Sequence, residues 1–412
     1  MPREPMPRTP AASRFARATG AYPLCVAGLL LLTGCASDSG GTRAEPVRRD
    51  SAGVAIVEHP AELVAPAEWT ITLDSAVRLA GEFSRVRYGV RFTDGRLAIA
   101  DGDSRTLRVF APDGTLQHVG GRDGAGPGEF RGITYMNRWL GDSVLVWDVQ
   151  QRRLSVFDDT VAFVRSFALQ TDSTTPFGNV QGVFADGSMY ATGFSTFPGG
   201  GGPQPGRQRS DTPAYRFAAD GRLDTTYSVM LSGEGFFRVF NDGGFSVMTP
   251  LFARLSTLHA GREILVHADN EQFDLRVYSP AGALQRSIRK LGTPAAITPS
   301  LRSAVVAHRL AELPSEADRE REREALETMD VPATVPAFGR VLLDRDDRLW
   351  VEEFAAVPGD RSVWLVFTPE GTLVARATMP QRLTPLEIGR DYLLGVERDE
   401  LDVESVVVIP LR

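Results

Sequence analysis

Histidine, aspartate and glutamate are the residues of this chain best suited to bind a metal ion or transfer a proton. The histidines are His59, His118, His259, His267 and His308. They fall at unlike positions of the repeat described below, and no HxxxH or HExxH spacing occurs among them. The sequence therefore predicts no metal site and no catalytic residue built on histidine.

Two acidic runs, Asp101-Gly-Asp103 and Asp344-Arg-Asp346-Asp347, have part of the composition of a calcium loop. Neither continues with the glycine and distal glutamate that an EF-hand loop requires. Aspartates in such positions commonly accept hydrogen bonds from the backbone of a turn. We interpret both runs as turn and strand-end residues, and predict neither a metal nor another cofactor.

The chain also lacks a recognisable motif for nucleophilic catalysis. No Gly-x-Ser-x-Gly elbow occurs, and the two cysteines are Cys25 and Cys35. Cys25 lies in an N-terminal signal and is expected to be removed with it. Carboxylates from different repeats are too far apart in the chain for their pairing to be deduced, so no catalytic residue is predicted.

The first 50 residues predict export and a lipid anchor. Four arginines precede an apolar run from Leu24 to Leu32. This run is shorter than the about 20 residues that a helix needs to span a bilayer, and it suits the hydrophobic region of a signal peptide. It ends in Leu32-Thr-Gly-Cys35, which resembles a bacterial lipobox. The alternative, a buried cysteine beside a membrane span, is disfavoured by the polar residues that follow at once.

We therefore predict a signal peptide at 1–34, lipidation of Cys35 and a flexible tether at 35–50. The resemblance implies an anchor in the bacterial outer membrane, because Ala36 stands where the inner-membrane retention signal has aspartate. The domain is expected in the periplasm or at the cell surface. Loss of four arginines and one glutamate with the signal takes the net charge from −7 to −10, which disfavours nucleic acid as a partner.

A repeated strand–turn–strand pattern determines the predicted fold of residues 51–412. Five segments share an apolar–aromatic pair followed by a tight turn, and their aromatic residues are Phe110, Phe157, Phe217, Tyr278 and Phe367. Proline early in the turn and glycine late in it suit the backbone angles of tight turns. Another strand precedes most copies, so each repeat has about four antiparallel strands, the content of a propeller blade.

The last repeat has three strands, because the chain ends where the other copies turn. Val54–Glu58 and Trp69–Leu73 are N-terminal strand candidates that have no blade of their own. An unpaired edge would remain exposed without a fourth strand. We therefore predict one all-β domain, a six-bladed β-propeller whose ring is closed by N-terminal strands.

The longest interval between the aromatic positions predicts a helical insert at 297–330, between blades four and five. Thr298-Pro299 is typical of a helix start, and Ser315 with Asp318 predicts the cap of a second helix. The second helix is so rich in Glu and Arg that we expect it to stay in solvent. In blade three, the glycine-rich segment 197–206 predicts a mobile surface loop, with a functional lid as the alternative.

The segment 120–130, Gly-Gly-Arg-Asp-Gly-Ala-Gly-Pro-Gly-Glu-Phe, carries the most distinctive motif, with its main positions at Arg122, Gly126, Pro127, Gly128, Glu129 and Phe130. Its glycines allow positive φ and close backbone approach. We expect a linker in which Arg122 pairs with Glu129 and Phe130 packs between blades. A phosphate loop is disfavoured, because Pro127 stands where lysine is required.

This motif resembles the Gly-Arg-x-Gly-x-Gly-Pro-Gly-Glu-Phe signature of bacterial six-bladed β-propeller lipoproteins related to the NHL-repeat group. Asp50–Val57 resembles their N-terminal strand, and Phe338–Val351 resembles their penultimate blade. The resemblance implies a membrane-anchored propeller of the cell envelope. It implies no particular chemistry.

Two classes of function follow from these observations. One is a monomeric, non-catalytic module that binds or scaffolds a protein or a small envelope ligand. The other is a lactonase-like hydrolase or lyase with a divalent metal in the central channel. The fold does not decide between them. A channel lined by apolar residues or by arginine would favour binding. Three or four convergent Asp, Glu, Asn or His side chains in the channel would favour an enzyme. At the level of the sequence, the absence of catalytic motifs favours binding.

The variant Cys35→Ser is expected to lose its lipid and leave the membrane fraction, because the cysteine sulfur is the group that is acylated. Metabolic labelling with a radioactive fatty acid, followed by membrane fractionation, measures both effects. Membrane association equal to that of the parent protein would contradict the lipobox interpretation.

Overall fold

The computed structural model of this chain describes residues 45–171, 177–197, 201–228, 231–240 and 244–411. The predicted signal peptide, Cys35 and most of the predicted tether lie outside these ranges. Residues Arg43–Arg412 form one compact unit. None of the described helices is long and apolar enough to cross a membrane.

The first fifteen strands in chain order are β1 (Val47–Ser51), β2 (Val54–His59), β3 (Glu68–Thr70), β4 (Val77–Arg78), β5 (Tyr88–Arg91), β6 (Leu97–Asp101), β7 (Thr106–Phe110), β8 (Leu116–Gly120), β9 (Ile133–Arg138), β10 (Val144–Asp148), β11 (Arg153–Phe157), β12 (Phe163–Phe167), β13 (Phe177–Val183), β14 (Met189–Gly193) and β15 (Gly206–Thr212). The others are β16 (Ala214–Phe217), β17 (Leu223–Thr226), β18 (Leu231–Val239), β19 (Phe245–Met248), β20 (Leu255–Ala260), β21 (Leu265–Asp269), β22 (Asp274–Tyr278), β23 (Leu284–Lys290), β24 (Val341–Leu343), β25 (Leu349–Glu352), β26 (Arg361–Phe367), β27 (Leu373–Pro380), β28 (Leu383–Ile388), β29 (Tyr392–Arg398) and β30 (Glu404–Pro410).

The described strands form six sheets, numbered I to VI in chain order. Sheet I is β5-β6-β7-β8, sheet II is β9-β10-β11-β12 and sheet III is β13-β14-β16-β17. Sheet IV has nine strands and contains the antiparallel run β20-β21-β22-β23. Sheet V is β24-β25-β26-β27-β3, and sheet VI is β28-β29-β30-β4. The protein is thus an all-β propeller, in which five sheets have the four or five strands of a blade and sheet IV departs from that pattern.

The five repeated aromatic residues occupy one structural position. Each is the last residue of the third strand of its unit, and none is more than 8% exposed. In every unit the register between the third and fourth strands shifts at that residue. Such a bulge bends the strand locally and re-aims a side chain. A bulge at one point of each unit therefore explains why the sequence repeats most clearly there.

The hydrophobic core consists of clusters that join successive sheets. Phe130, in the link between sheets I and II, packs in the cluster that contains Phe157 of sheet II. At the other end of the chain, Leu394 of sheet VI shares a cluster with Phe110 of sheet I. The core therefore continues from the last sheet to the first.

The prediction of ring closure named the wrong strands. β2, which contains Val54–Glu58, pairs in parallel with β23 of sheet IV, and β3 pairs in parallel with β27 of sheet V. The strand that extends sheet VI is β4, through Val77 opposite Val408 and Arg78 opposite Val407. β4 is too short to show a pattern of alternation. It is reinforced by a 2.5 Å ion pair between Arg78 and Glu397.

The helical segment contains α1 (Pro299–Ala311) and α2 (Glu316–Glu327), which lie between β23 and β24 in the chain. Thr298 Oγ1 accepts a hydrogen bond from Leu301 N, and Ser315 Oγ accepts one from Asp318 N. The expectation that α2 stays in solvent was wrong at its last turn. There Leu326 is 2% exposed and packs in a cluster that includes Phe236, Phe252 and Met329. Because Glu and Arg dominate the composition of the helix, the sequence did not indicate that its short apolar end is buried.

The sequence did not predict the outer part of sheet IV. Residues 198–200 of the expected loop at 197–206 lie outside the described residues. After them, β15 pairs with β18 of sheet IV instead of joining sheet III, and β19 pairs with Phe236–Val239 at the end of β18. β15 has the sequence Gly-Arg-Gln-Arg-Ser-Asp-Thr, in which no apolar residue alternates with a polar one. Periodicity could not identify such a strand.

Replacement Leu326→Ala is expected to lower the free energy of unfolding by about 2–5 kcal/mol, because it leaves a cavity beside Phe236 and Phe252. Urea denaturation measures the change. Glu320→Ala, on the exposed side of the same helix, is the control and is expected to stay within about 0.5 kcal/mol of the parent. Equal stabilities for the two variants would show that the insert does not contribute to the core.

Candidate ligand-binding site

A cavity of about 120 Å³ lies where one strand from each of the six sheets meets the others. Those strands are β5, β9, β13, β20, β24 and β28. The lining residues lie near the carboxyl ends of these strands and in the hairpins that follow. We call this region the channel mouth. It is lined by, among others, Asn137, Arg262, Arg345 and Glu387.

Hydrogen bonds join the hairpins around the channel mouth in an unbroken circle. Two of the links are between backbone groups, and the other four use a side chain. In order around the circle they are Thr93 N to Asp142 Oδ2 (3.2 Å), Trp139 Nε1 to Gly187 O (2.9 Å), Ala185 N to Arg262 O (2.8 Å), Arg262 N to Asp347 Oδ1 (2.6 Å), Arg345 N to Ile388 O (2.9 Å) and Arg91 N to Glu387 Oε1 (2.9 Å). Each link joins one sheet to the next, and the last joins sheet VI to sheet I.

Three arginines converge on this region. Arg138 ends β9, Arg262 lies in the turn between β20 and β21, and Arg345 lies in the turn between β24 and β25. Arg262 and Arg345 line the cavity of about 120 Å³. All three line an adjoining cavity of about 150 Å³. The circle of hydrogen bonds therefore fixes the backbone that carries two of these guanidinium groups.

The positive charge of the three arginines is only partly balanced by carboxylates. Arg138 Nη1 donates to the carbonyl oxygen of Arg91 at 3.2 Å and lies 3.5 Å from Asp142 Oδ1. Arg345 Nη1 lies 3.7 Å from Glu387 Oε2, beyond hydrogen-bonding distance. Within the part of the chain that the structure describes, the Arg262 guanidinium makes neither a hydrogen bond nor an ion pair.

Burial lowers the pKa of Arg138, and the neighbouring charge of Arg345 lowers it further, while Glu387 and Asp142 raise it. Burial and the charge of Arg345 act against the positively charged form of the side chain. An anion bound between the two guanidiniums would offset the repulsion between them.

Glu387 lies beside Arg345, and it already accepts hydrogen bonds from other groups. Its Oε1 accepts hydrogen bonds from Arg91 N and from the hydroxyl of Tyr392. Burial and the charge of Glu387 raise the pKa of Tyr392, so this phenol remains a donor. Glu387 therefore links sheet VI to sheet I and lies beside Arg345 without forming a close ion pair with it.

Asp101 and Asp344, one from each acidic run, accept hydrogen bonds from the backbone of the turn that follows them. Asp103 and Asp346 instead bind the side chains of Arg85 and Arg390. Asp101 Oδ1 accepts from the backbone of Asp103 and Ser104. Asp344 Oδ2 accepts from Arg348 Nε at 2.7 Å and from Trp350 Nε1 at 3.0 Å.

Asp347 lies at φ +60° and accepts from the backbone N–H groups of Arg262 and Glu263, at 2.6 and 2.8 Å. Burial raises the pKa of this carboxyl. Its two bonds hold the hairpin that carries Arg262. No group of three or more His, Cys, Asp or Glu side chains is placed to hold a metal among the described residues.

The histidines do not form a common site in the described structure. His259 and His267 lie on the neighbouring strands β20 and β21, where they contact Thr257 Oγ1 and Ser256 Oγ. Burial lowers the pKa of His259 to about 4. His59 contacts the carbonyl oxygen of Gly371, and His118 and His308 lie in β8 and α1.

The glycine-rich motif lies between sheets I and II and does not line either cavity at the channel mouth. Arg122 Nε donates to Glu129 Oε1 at 2.7 Å, and Glu129 Oε2 accepts from Gly126 N at 2.7 Å. Gly128 has φ +73°, and Pro127 is exposed. Phe130 is fully buried, with its ring 5.5 Å from that of Phe157. These contacts place the motif in a linker between two sheets.

Sequence reasoning did not identify Arg138, Arg262 or Arg345 as site residues. Every basic residue of the chain except Lys290 is an arginine, so an arginine by itself carries little information. The only available signal was position, because each lies at or just beyond the end of a strand that lines the channel. That signal becomes visible once the first strand of each unit is known.

No family model matches this chain, and no curated protein matches it. Solved structures similar to it include a member of the DUF4221 family from Bacteroides vulgatus, with a TM-score of 0.47 and 12% identity over 82% of this chain and 95% of that one. Virginiamycin B lyase from Staphylococcus aureus has a TM-score of 0.40 and 9% identity over 82% and 99%. A gluconolactonase from Xanthomonas campestris has a TM-score of 0.37 and 14% identity over 89% and 100%. None of these distant likenesses assigns an activity to this chain.

Asp347→Asn is expected to lower the free energy of unfolding by about 1–3 kcal/mol, because the amide has one acceptor oxygen for two backbone donors. Asparagine tolerates the positive φ at this position, so backbone strain does not confound the result. Thermal and urea unfolding measure the change. The control is Asp346→Asn, which weakens an exposed ion pair with Arg390 and is expected to cost about 0–1 kcal/mol. Equal losses for the two variants would argue against the hairpin link.

Proposed function

We propose that this protein is a cell-envelope β-propeller lipoprotein that binds a small anion at the channel mouth and does not catalyse a reaction on it. The convergence of Arg138, Arg262 and Arg345 on two adjoining cavities carries this proposal. The cavity has both kinds of lining that the sequence analysis distinguishes. Arg262 and Arg345 favour binding, whereas Asn137, Asp344 and Glu387 are residues of the types that would favour an enzyme.

The chemistry of guanidinium groups indicates the class of ligand. A planar guanidinium presents donors that match two oxygens of a carboxylate or a phosphate. Arg138 and Arg345 are partly buried, which strengthens this attraction relative to a fully solvated surface, whereas Arg262 is exposed. Because hydrogen bonds already hold the hairpins that carry Arg262 and Arg345, little ordering of the backbone is needed when a ligand binds.

The size of the site supports a compact ligand. The cavities of about 120 and 150 Å³ share Asn137, Val183, Arg262 and Arg345. Each is smaller than the roughly 300–1,000 Å³ of pockets that hold drug-sized molecules. A dicarboxylate, an inorganic oxyanion or a small phosphate ester fits this description.

The overall charge of the protein limits the ligand further. The mature chain carries a net charge of −10, and Asp142, Asp391 and Glu387 lie beside the three arginines or their neighbours. A long polyanion would meet this negative surface on either side of the mouth, whereas a small anion would not. The partner is therefore a small envelope ligand rather than nucleic acid.

The finer features of the architecture belong to the same proposal. The circle of six hairpin links supports treating β20-β21-β22-β23 as one blade within sheet IV, which gives six blades with β4 closing the last. The lipobox and the polar tether support a lipid on Cys35 and an outer-membrane location. A single compact unit is consistent with a monomer.

The competing function is a lactonase-like hydrolase or lyase with a divalent metal in the channel. Two carboxylates line the cavity, and both already accept strong hydrogen bonds from protein groups. Asp344 binds Arg348 and Trp350, and Glu387 binds Arg91 and Tyr392. The surrounding guanidiniums disfavour a cation and attract an anion.

The full-length lipoprotein, purified in detergent, is expected to bind at least one of phosphate, sulfate, succinate and citrate in isothermal titration calorimetry. Arg262→Ala and Arg345→Ala are each expected to weaken that binding by roughly tenfold or more. Binding is also expected to weaken as salt concentration rises. Arg222→Ala is the matched control, because this exposed arginine lies on sheet III away from the channel and is expected to bind as the parent does.

Equal affinities for Arg262→Ala, Arg345→Ala and the parent would contradict the proposal, as would no heat of binding with any of the four anions. The competing function would be established by two results together. The channel would hold a stoichiometric divalent ion, and the protein would turn over a lactone, ester or phosphoester, with mutation of the ligands of that ion abolishing the turnover.

A further inference from the structure

A larger cavity, of about 440 Å³, lies between sheets V and VI and is separate from the channel mouth. Its lining includes Glu68, Trp69 and Thr70 of β3, together with Ser75, Arg348 and Trp350. Its volume falls within the range of about 300–1,000 Å³ that is usual for small-molecule sites. We call it the tryptophan cavity.

An N-terminal strand creates this cavity. β3 adds to the outer edge of sheet V in parallel with β27, so that Trp69 lies opposite Ala377. The ring of Trp69 is then 5.8 Å from that of Trp350, with an angle of 46° between the planes. Trp350 is buried, whereas Trp69 is partly exposed and presents an aromatic surface to the cavity.

The two indole N–H groups differ in their partners. Trp350 Nε1 donates to Asp344 Oδ2 at 3.0 Å. The Trp69 indole N–H donates to none of the residues that the structure describes, although it belongs to a side chain that lines the cavity. This N–H group is therefore available to a ligand. A buried tryptophan usually donates its N–H to a hydrogen-bond partner, so a ligand that covers the Trp69 ring is expected to accept from it.

The arginines of this cavity already have anionic partners. Arg348 Nε lies 2.7 Å from Asp344 Oδ2, and its guanidinium lies 5.7 Å from the centre of the Trp69 ring. Arg390 Nε lies 3.3 Å from Asp346 Oδ2. Unlike the channel mouth, the tryptophan cavity has no unpaired guanidinium among its described residues, so it is not built to attract an anion.

We propose that the tryptophan cavity binds a neutral carbohydrate of one or two sugar rings. A sugar ring has a face of C–H groups that packs on an aromatic surface, and an edge of hydroxyls that both donate and accept hydrogen bonds. The cavity supplies complementary groups: the ring and N–H of Trp69, the carboxylate of Glu68, and the hydroxyls of Thr70, Thr72 and Ser75. This site is additional to the anion site and does not depend on it.

The experiment titrates the full-length lipoprotein, in a detergent without a sugar headgroup, with maltose, cellobiose and N,N′-diacetylchitobiose. Tryptophan fluorescence and isothermal titration calorimetry follow binding. At least one of these neutral sugars is expected to bind saturably and to change the fluorescence. Ser75→Trp, which fills the cavity from an exposed position without removing a core contact, is expected to weaken this binding by roughly tenfold or more.

Asp74→Trp is the matched control, because Asp74 is exposed and adjacent to Ser75 but does not line the cavity. It is expected to bind sugar as the parent does, and so is Arg262→Ala at the channel mouth. The proposal is overturned if none of the three sugars binds at concentrations up to their solubility. It is also overturned if Ser75→Trp and Asp74→Trp bind equally well, which would place the sugar elsewhere.

Discussion

The closed circle of hydrogen bonds between hairpins is the constraint on which the rest of this structure depends. Hydrogen bonds join every successive pair of described sheets, including sheet VI to sheet I, so each junction helps the ring to keep its shape. Glu387 makes that last junction to Arg91, while Asp347 holds the hairpin of sheet IV. The same junctions fix the hairpins that carry Arg262 and Arg345 at the channel mouth.

The chain as a whole is negatively charged, whereas arginines line its channel mouth. The chain carries a net charge of −7, which repels long polyanions. At the channel mouth, the carboxylates are engaged in hydrogen bonds that hold hairpins, which leaves the arginines under-compensated. Burial and the charge of Arg345 lower the pKa of Arg138, and both act against its positively charged form. Between sheets V and VI the arginines are paired, and a neutral ligand is the better complement.

The sequence predicted the parts of the fold that repeat. Phe110, Phe157, Phe217, Tyr278 and Phe367 share one bulged position because the same turn chemistry recurs in each unit. The capping residues Thr298 and Ser315 likewise marked both helices, since caps are local features. Local patterns of this kind are readable without knowledge of the tertiary structure.

The features that depend on distant parts of the chain were not predictable. β4 closes sheet VI with two residues, and β15 crosses into a neighbouring sheet with an almost wholly polar sequence. Arg138, Arg262 and Arg345 come from three different sheets, and nothing in their local sequence distinguishes them from other arginines. Tertiary pairing alone brings them together, just as it brings Trp69 beside Trp350.

Crystallography with an anomalous scatterer gives the most direct test of the anion site. Crystals soaked in selenate, an analogue of sulfate, would be measured at the selenium absorption edge. The account predicts an anomalous peak at the channel mouth within hydrogen-bonding distance of the Arg262 and Arg345 guanidiniums. Selenate bound elsewhere with an empty channel mouth, or a divalent cation at that position, would contradict it.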